Sequence, residues 1–110
     1  MALARVAGTG FEDRALKIKN WCKEGQKVFL KREPNNKFDK NAIKVLIETK
    51  PLFGIFGIKI KHIGYIKAER ASKLAPKMDN GLEFSATISK IYAPKWMDFP
   101  TVTIEFYPNN

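Results

Sequence analysis

The chain has 110 residues, with 20 Lys and Arg against 11 Asp and Glu, a net charge of +9. That is one small basic domain, too short for a second core, and its eight Phe, three Tyr and two Trp exclude a disordered chain. One Cys and one His exclude a disulfide framework and a Cys/His metal set, so no cofactor is expected. Met1–Val6 lacks the apolar core of a signal peptide, and Pro51–Ile60 is too short to span a bilayer. The expectation is a soluble, cytoplasmic protein with no membrane partner. Charge of this density points to a polyanion, nucleic acid first.

In chain order, Leu3–Thr9 is expected as a first strand with Leu3 and Val6 toward the core, broken by Gly8 and Gly10. Gly-Thr-Gly has no third glycine at the spacing of a nucleotide fingerprint. Phe11 follows, and composition alone favours it as a core anchor. Glu12–Lys23 is expected as a helix whose apolar face is Ala15, Ile18, Trp21 and Cys22, stopped by Gly25. Trp21 is expected in the core. Gln26–Arg32 and Asn41–Thr49 pair as strands across an intervening loop. Pro51–Ile58 is apolar but interrupted by two glycines. It reads equally well as a long hairpin extension, with Ile58 and Ile60 already in the next strand, or as an exposed patch for a partner.

Lys61–Ile66 is expected as a strand and Lys67–Met78 as a helix with Ala71, Leu74, Ala75 and Met78 on one face. Pro76 weakens its last turn and Gly81 ends it. Phe84, Ala86 and Ile88 alternate with polar neighbours, and Ile91-Tyr92 break the phase, so a bulge is expected near Lys90. Ala93–Pro100 is a loop holding Lys95, Trp96 and Phe99. Val102, Ile104 and Phe106 mark the last strand. The fold class is therefore mainly β with two short helices (α+β), an antiparallel sheet curled into a small barrel with helices at its ends or side.

The densest chemistry lies in Lys31–Asn41, with four cations, two acids, three amides and one aromatic in eleven residues. Pro34-Asn35-Asn36 is turn chemistry. Catalysis has little support: no Ser/His/acid set, clustered carboxylates or Walker loop is present, so no enzyme is expected. Binding has more. Lys31, Arg32, Lys37 and Lys40 bracket Phe38, the pattern by which small barrels hold single strands through phosphates and base faces. Asn35, Asn36 and Asn41 each offer donor and acceptor. Asp39 is unusual in a phosphate groove. From the residues alone, an Asx turn shaping the loop is its favoured role, ahead of a hydrogen bond to a terminal sugar hydroxyl.

Phe29-Leu30-Lys31-Arg32-Glu33-Pro34-Asn35-Asn36-Lys37-Phe38-Asp39-Lys40-Asn41-Ala42-Ile43-Lys44-Val45 resembles the signature of the HIRAN domain family. So do His62-Ile63-Gly64-Tyr65-Ile66, the helix carrying Leu74-Ala75-Pro76, and Gly8-Thr9-Gly10-Phe11. The family occurs on SWI2/SNF2-type remodellers and as stand-alone bacterial and phage proteins, and the chain resembles the stand-alone type. The resemblance implies an OB-like six-stranded barrel spanning residues 1–110 as one domain. It implies non-catalytic binding of single-stranded DNA with preference for a 3′ end, as at damaged or stalled-replication DNA. On that resemblance Phe11 and Phe38 stack on bases, Asn36 and Asp39 hold the terminal nucleotide, and Asp39 faces the 3′-hydroxyl. Lys67 meets a phosphate. The nucleic-acid set becomes Phe11, Arg32, Asn35, Asn36, Lys37, Phe38, Asp39, Lys40, Tyr65 and Lys67, with Trp96 or Phe99 as a third stacking ring. A helicase or repair protein is an expected partner, and a monomer or weak dimer the expected state. Gly10 and Ala68 depart from the family by lacking cations, and Lys50–Lys61 is longer than its usual turn. The alternative function is a protein-interaction module built on the 50–61 hairpin.

Overall fold

Period-two alternation gives the sheet one apolar face. In the computed structural model, which describes residues 2–109 (Leu52 by backbone only), the elements are β1 (Ala2–Ala7), α1 (Arg14–Trp21), β2 (Lys27–Arg32), β3 (Ile43–Thr49), a 3-10 turn (Pro51–Gly54), β4 (Lys59–Ile66), α2 (Ala68–Asp79), β5 (Phe84–Tyr92) and β6 (Thr101–Pro108). The six strands form a closed antiparallel barrel in the order β1-β4-β3-β2-β5-β6, the OB-like arrangement, with β1 pairing both β4 and β6. Ile43, Val45 and Ile47 of β3 and Val102, Ile104 and Phe106 of β6 point inward with Val28, Ile63 and Ile88. α1 adds Ile18, and α2 adds Ala71, Leu74 and Ala75. Each fully buried Ile or Val contributes about 1.5–3 kcal/mol of transfer free energy.

Two irregularities shape the barrel. The register shifts between Ile88 and Lys90, where the phase break predicts it, and Ile91 keeps partial contact with the core. A second shift between Val45 and Leu46 has no counterpart in the sequence reading. There Ile63 and Gly64 of β4 are both buried. A Cβ on Gly64 would lie 2.5 Å from Val6 Cγ1 and 2.6 Å from the Ala7 oxygen, at φ +155°. Glycine is what lets β1 close against β4 at this bulge.

Four expectations are corrected. Leu3 is 52% exposed while Ala4 and Val6 are buried. Side chains alternate along a strand, so Leu3 and Val6, three apart, face opposite ways. α1 is only eight residues long and buries Arg14 and Ile18. Trp21 is 37% exposed, with the Lys61 ammonium 5.6 Å from its ring centroid. The 50–58 connection is a 3-10 turn followed by irregular chain rather than a hairpin extension. Thr49 pairs with Lys59, so Ile60 lies in β4 and Ile58 outside it.

Candidate nucleic-acid interface

The loop between β2 and β3 is held by its own polar groups. Its neck closes through the Glu33 amide donating to the Ala42 carbonyl at 2.9 Å. Asn36 Oδ1 accepts from the amides of Phe38 (2.9 Å) and Asp39 (3.0 Å), and Asn36 Nδ2 donates to Glu33 Oε1 at 2.7 Å. Asp39 Oδ1 accepts from the Asn41 amide at 2.8 Å, an Asx turn. Arg32 secures the outer side: Nη1 donates to the Ala42 carbonyl, Nη2 to the Lys40 carbonyl, and Nε to Asp79 Oδ1 on α2 at 2.9 Å. That contact holds the Asp79 carboxyl below the usual carboxylate range. The loop backbone is thus preorganised, and Phe38 stands on it 97% exposed. Asn35, Lys37 and Lys40 are exposed beside it.

Beneath the loop is a polar bridge to the rest of the barrel. Glu33 Oε1 also accepts from the Tyr65 hydroxyl (2.9 Å), and Glu33 Oε2 pairs with Lys44 Nζ at 2.9 Å. These donors, Lys44 foremost, hold the Glu33 carboxyl down at about 2. Burial, then the hydrogen bond to Glu33, raises the Tyr65 phenol, so it stays a donor. Arg14 lies over the Tyr65 ring, its guanidinium carbon 5.4 Å from the ring centroid. His62 packs edge-on to the same ring at 4.8 Å and bonds the Gly64 carbonyl through Nε2. Burial, then the Arg14 charge, lowers its pKa. Neutral His62 therefore donates from Nε2.

Arg14 connects this bridge to Phe11. It is buried, donates from Nη1 to the Gly8 carbonyl at 3.0 Å, and leaves Nε without a hydrogen-bond partner among the described residues. The same Gly8 carbonyl accepts from the Phe11 amide (3.2 Å), and the Phe11 carbonyl accepts from the Arg14 amide (3.2 Å). Phe11 is 69% exposed, so it is no core anchor. A continuous line of contacts therefore runs Phe11, Gly8, Arg14, Tyr65, Glu33, Asn36, Phe38.

The β5–β6 loop joins from the other side. Thr9 Oγ1, buried, donates to the Pro100 carbonyl at 2.8 Å. The Phe99 ring lies against Gly10, where a Cβ would meet Phe99 Cδ1 at 2.6 Å. Glycine at position 10 is what leaves room for this ring. Phe99 therefore adjoins the Phe11 loop, whereas Trp96 sits apart, edge-to-face with Tyr92 at 6.4 Å. Lys67 follows β4, exposed, its amide donating to the Arg5 carbonyl at 3.0 Å.

Of the predicted set, Phe11, Asn36, Phe38, Asp39 and Tyr65 come together with Phe99. Arg32 and Asn36 spend most of their polar groups on the loop itself. Missed were Arg14, Glu33, Lys44 and Thr9. Among the described residues, no group of His, Cys, Asp and Glu could hold a metal ion, and no helix is long and apolar enough to cross a membrane.

Comparison with known proteins agrees with this fold. The fold superposes on a Lactobacillus plantarum protein of known structure with a TM-score of 0.65, at 20% identity, covering 96% of this chain and 92% of that one. It superposes on the HIRAN domain of human HLTF with a TM-score of 0.60, at 25% identity, covering 96% and 74%. In sequence it is 46% identical over 55 residues to the rabbit (Oryctolagus cuniculus) helicase-like transcription factor, half of this chain but 4% of that protein. The HIRAN domain model matches residues 2–106, which include all three loops and the bridge beneath them, and the chain belongs to that family.

Proposed function

We propose that this protein is a non-catalytic module that binds single-stranded DNA and favours a free 3′ end, such as arises at damaged or stalled-replication DNA. One observation carries the reading. Phe11 and Phe38 are exposed rings on two separate loops, and a part-buried polar bridge, with Arg14 as its buried member, ties the two loops together. A ring held out in water by a rigid loop is built to be covered, and a base face covers it, contributing about 1–3 kcal/mol per base. Lys31, Lys37, Lys40 and Lys67 meet phosphates. Asn35 reaches a base edge or sugar. Asp39 has one oxygen in the Asx turn; the other accepts from the terminal 3′-hydroxyl and repels a 3′-phosphate. Arg32 and Asn36 act by holding the loop, and Tyr65 by aligning Glu33 and Arg14. A helicase or repair protein is the partner we propose, in keeping with the name of the rabbit relative, for a cytoplasmic protein that is a monomer or weak dimer.

The test is fluorescence anisotropy with a labelled oligothymidylate at low and high salt. Affinity falls steeply with salt, by about 0.7 log units per log unit for each phosphate contacted. Phe11→Ala weakens binding about tenfold at fixed salt. Salt-independent binding, or an unchanged Kd in the variant, contradicts the reading. A second reading has its own observation: Phe53 is 101% exposed and Ile55 77%, with Phe56 and Ile58 beside them. This segment suits a protein contact, and oligonucleotide affinity that ignores both rings favours it.

A further inference from the structure

Trp96 and Phe99 are three residues apart in one loop, yet they face different places. Phe99 lies against Gly10 beside the terminal site. Trp96, 76% exposed, forms an open hollow with Arg5, Lys90, Tyr92, Thr101 and Thr103 on the outer face of β1, β6 and β5. Arg5 is also the shared wall of a neighbouring groove that holds Lys67, Arg70 and Lys73. The hollow and groove together present five cations. The acid among their walls is Glu69, and Glu105 lies two residues beyond Thr103 on the same side of β6.

This face is continuous with the terminal site at both ends. Lys67, a proposed phosphate contact, is tied through its amide to Arg5. The loop that carries Trp96 runs on to Phe99 and to Pro100, which accepts from Thr9. We propose that the Arg5 face is a second subsite for the same single strand. An interior base stacks on Trp96, with Tyr92 supporting it edge-on, and the adjoining phosphates lie on Arg5 and Lys90. The inference rests on the single-strand reading above and extends it from the chain end to the nucleotides before it. Charge complementarity selects the occupant: an exposed indole flanked by Arg and Lys matches alternating base and phosphate, whereas an apolar peptide would leave the cations unpaired.

The experiment compares oligothymidylates of about 4 and about 12 nucleotides, within the site sizes of OB folds. Trp96→Ala and Arg5→Gln each weaken the longer strand about tenfold and the shorter one less than twofold. Equal losses at both lengths, or none, overturn the proposal. Trp21→Phe leaves Trp96 as the sole tryptophan, so the subsite can also be read with its own ring intact. The longer strand then quenches Trp96 fluorescence and the shorter one does not; quenching by neither overturns it. Failure of the terminal site looks different: Phe38→Ala leaves the shorter strand unaffected while Trp96→Ala still weakens the longer one.

Discussion

Two loops of this barrel each hold a phenylalanine fully out in water. Phe38, in the β2–β3 loop, is 97% exposed, and Phe53, in the β3–β4 connection, is 101% exposed. Under Phe38 the backbone is fixed by Asn36, Asp39 and Arg32, and the loop is tied to the barrel through Glu33, Tyr65 and Lys44. Under Phe53, at φ +57°, the connection is closed by a Gly57 amide bond to the Gly54 carbonyl and a Thr49 hydroxyl bond to the Lys59 carbonyl. Exposure alone is the same. Preorganisation separates the two, and a ring already fixed loses less entropy when a base covers it.

The largest contrast comes from the rings themselves. Phe38→Ala weakens single-strand binding about tenfold or more, whereas Phe53→Ala changes it less than twofold, both by anisotropy at one salt concentration. Equal effects would erase the distinction. Next is the bridge. Arg14→Met removes a buried cation that has no carboxylate partner among the described residues, so the melting temperature changes little while affinity falls about fivefold as Phe11 and Tyr65 lose their link. Glu33→Gln breaks the pair with Lys44 and costs about 1–2 kcal/mol in denaturant unfolding.

The same bridge has a pH signature. Glu33 titrates at about 2 in the folded protein against 4.5 ordinarily. A depressed carboxylate stabilises the fold above the ordinary value and loses that contribution as pH falls toward the folded value. The advantage in unfolding free energy over Glu33→Gln is therefore constant above pH 4.5 and shrinks between 4.5 and about 2, while in the folded state the Phe38 amide resonance moves around a midpoint of about 2 and that of Phe53 does not follow. The smallest contrast is in salt. Lys37→Gln lowers the salt slope by about 0.7, and Lys50→Gln leaves it unchanged.

The barrel was legible wherever alternation is strict, as in Val102, Ile104 and Phe106, and the bulge near Lys90 showed as a broken phase. The bulge at Gly64 did not, although a glycine inside a strand was the available sign. The segment around Phe38 stands out by its density of polar groups, and part of that density serves the loop itself. Arg32 and Asn36, expected as ligand contacts, also bond the loop internally, because a loop with this many backbone groups needs them. For Asp39, the turn role read from the residues is present in Oδ1, and the proposed end-reading role falls to Oδ2. Arg14 was hidden among the cations of α1, though its spacing with Ile18 and Cys22, four and eight residues on, is that of a buried helical stripe. Glu33 is flanked by cations in sequence, and its partners Tyr65 and Lys44 are brought to it only by the register of β3 against β4. Phe11 needed the family resemblance, since composition alone placed it inside.

The most direct measurement is a competition among three unlabelled strands of one sequence, ending in a 3′-hydroxyl, ending in a 3′-phosphate, or closed into a circle, against a bound fluorescent strand. The 3′-hydroxyl strand competes best, and in Asp39→Asn, which keeps the turn acceptor and removes the charge, its advantage over the 3′-phosphate strand disappears. A circle that competes as well as the 3′-hydroxyl strand would contradict the account.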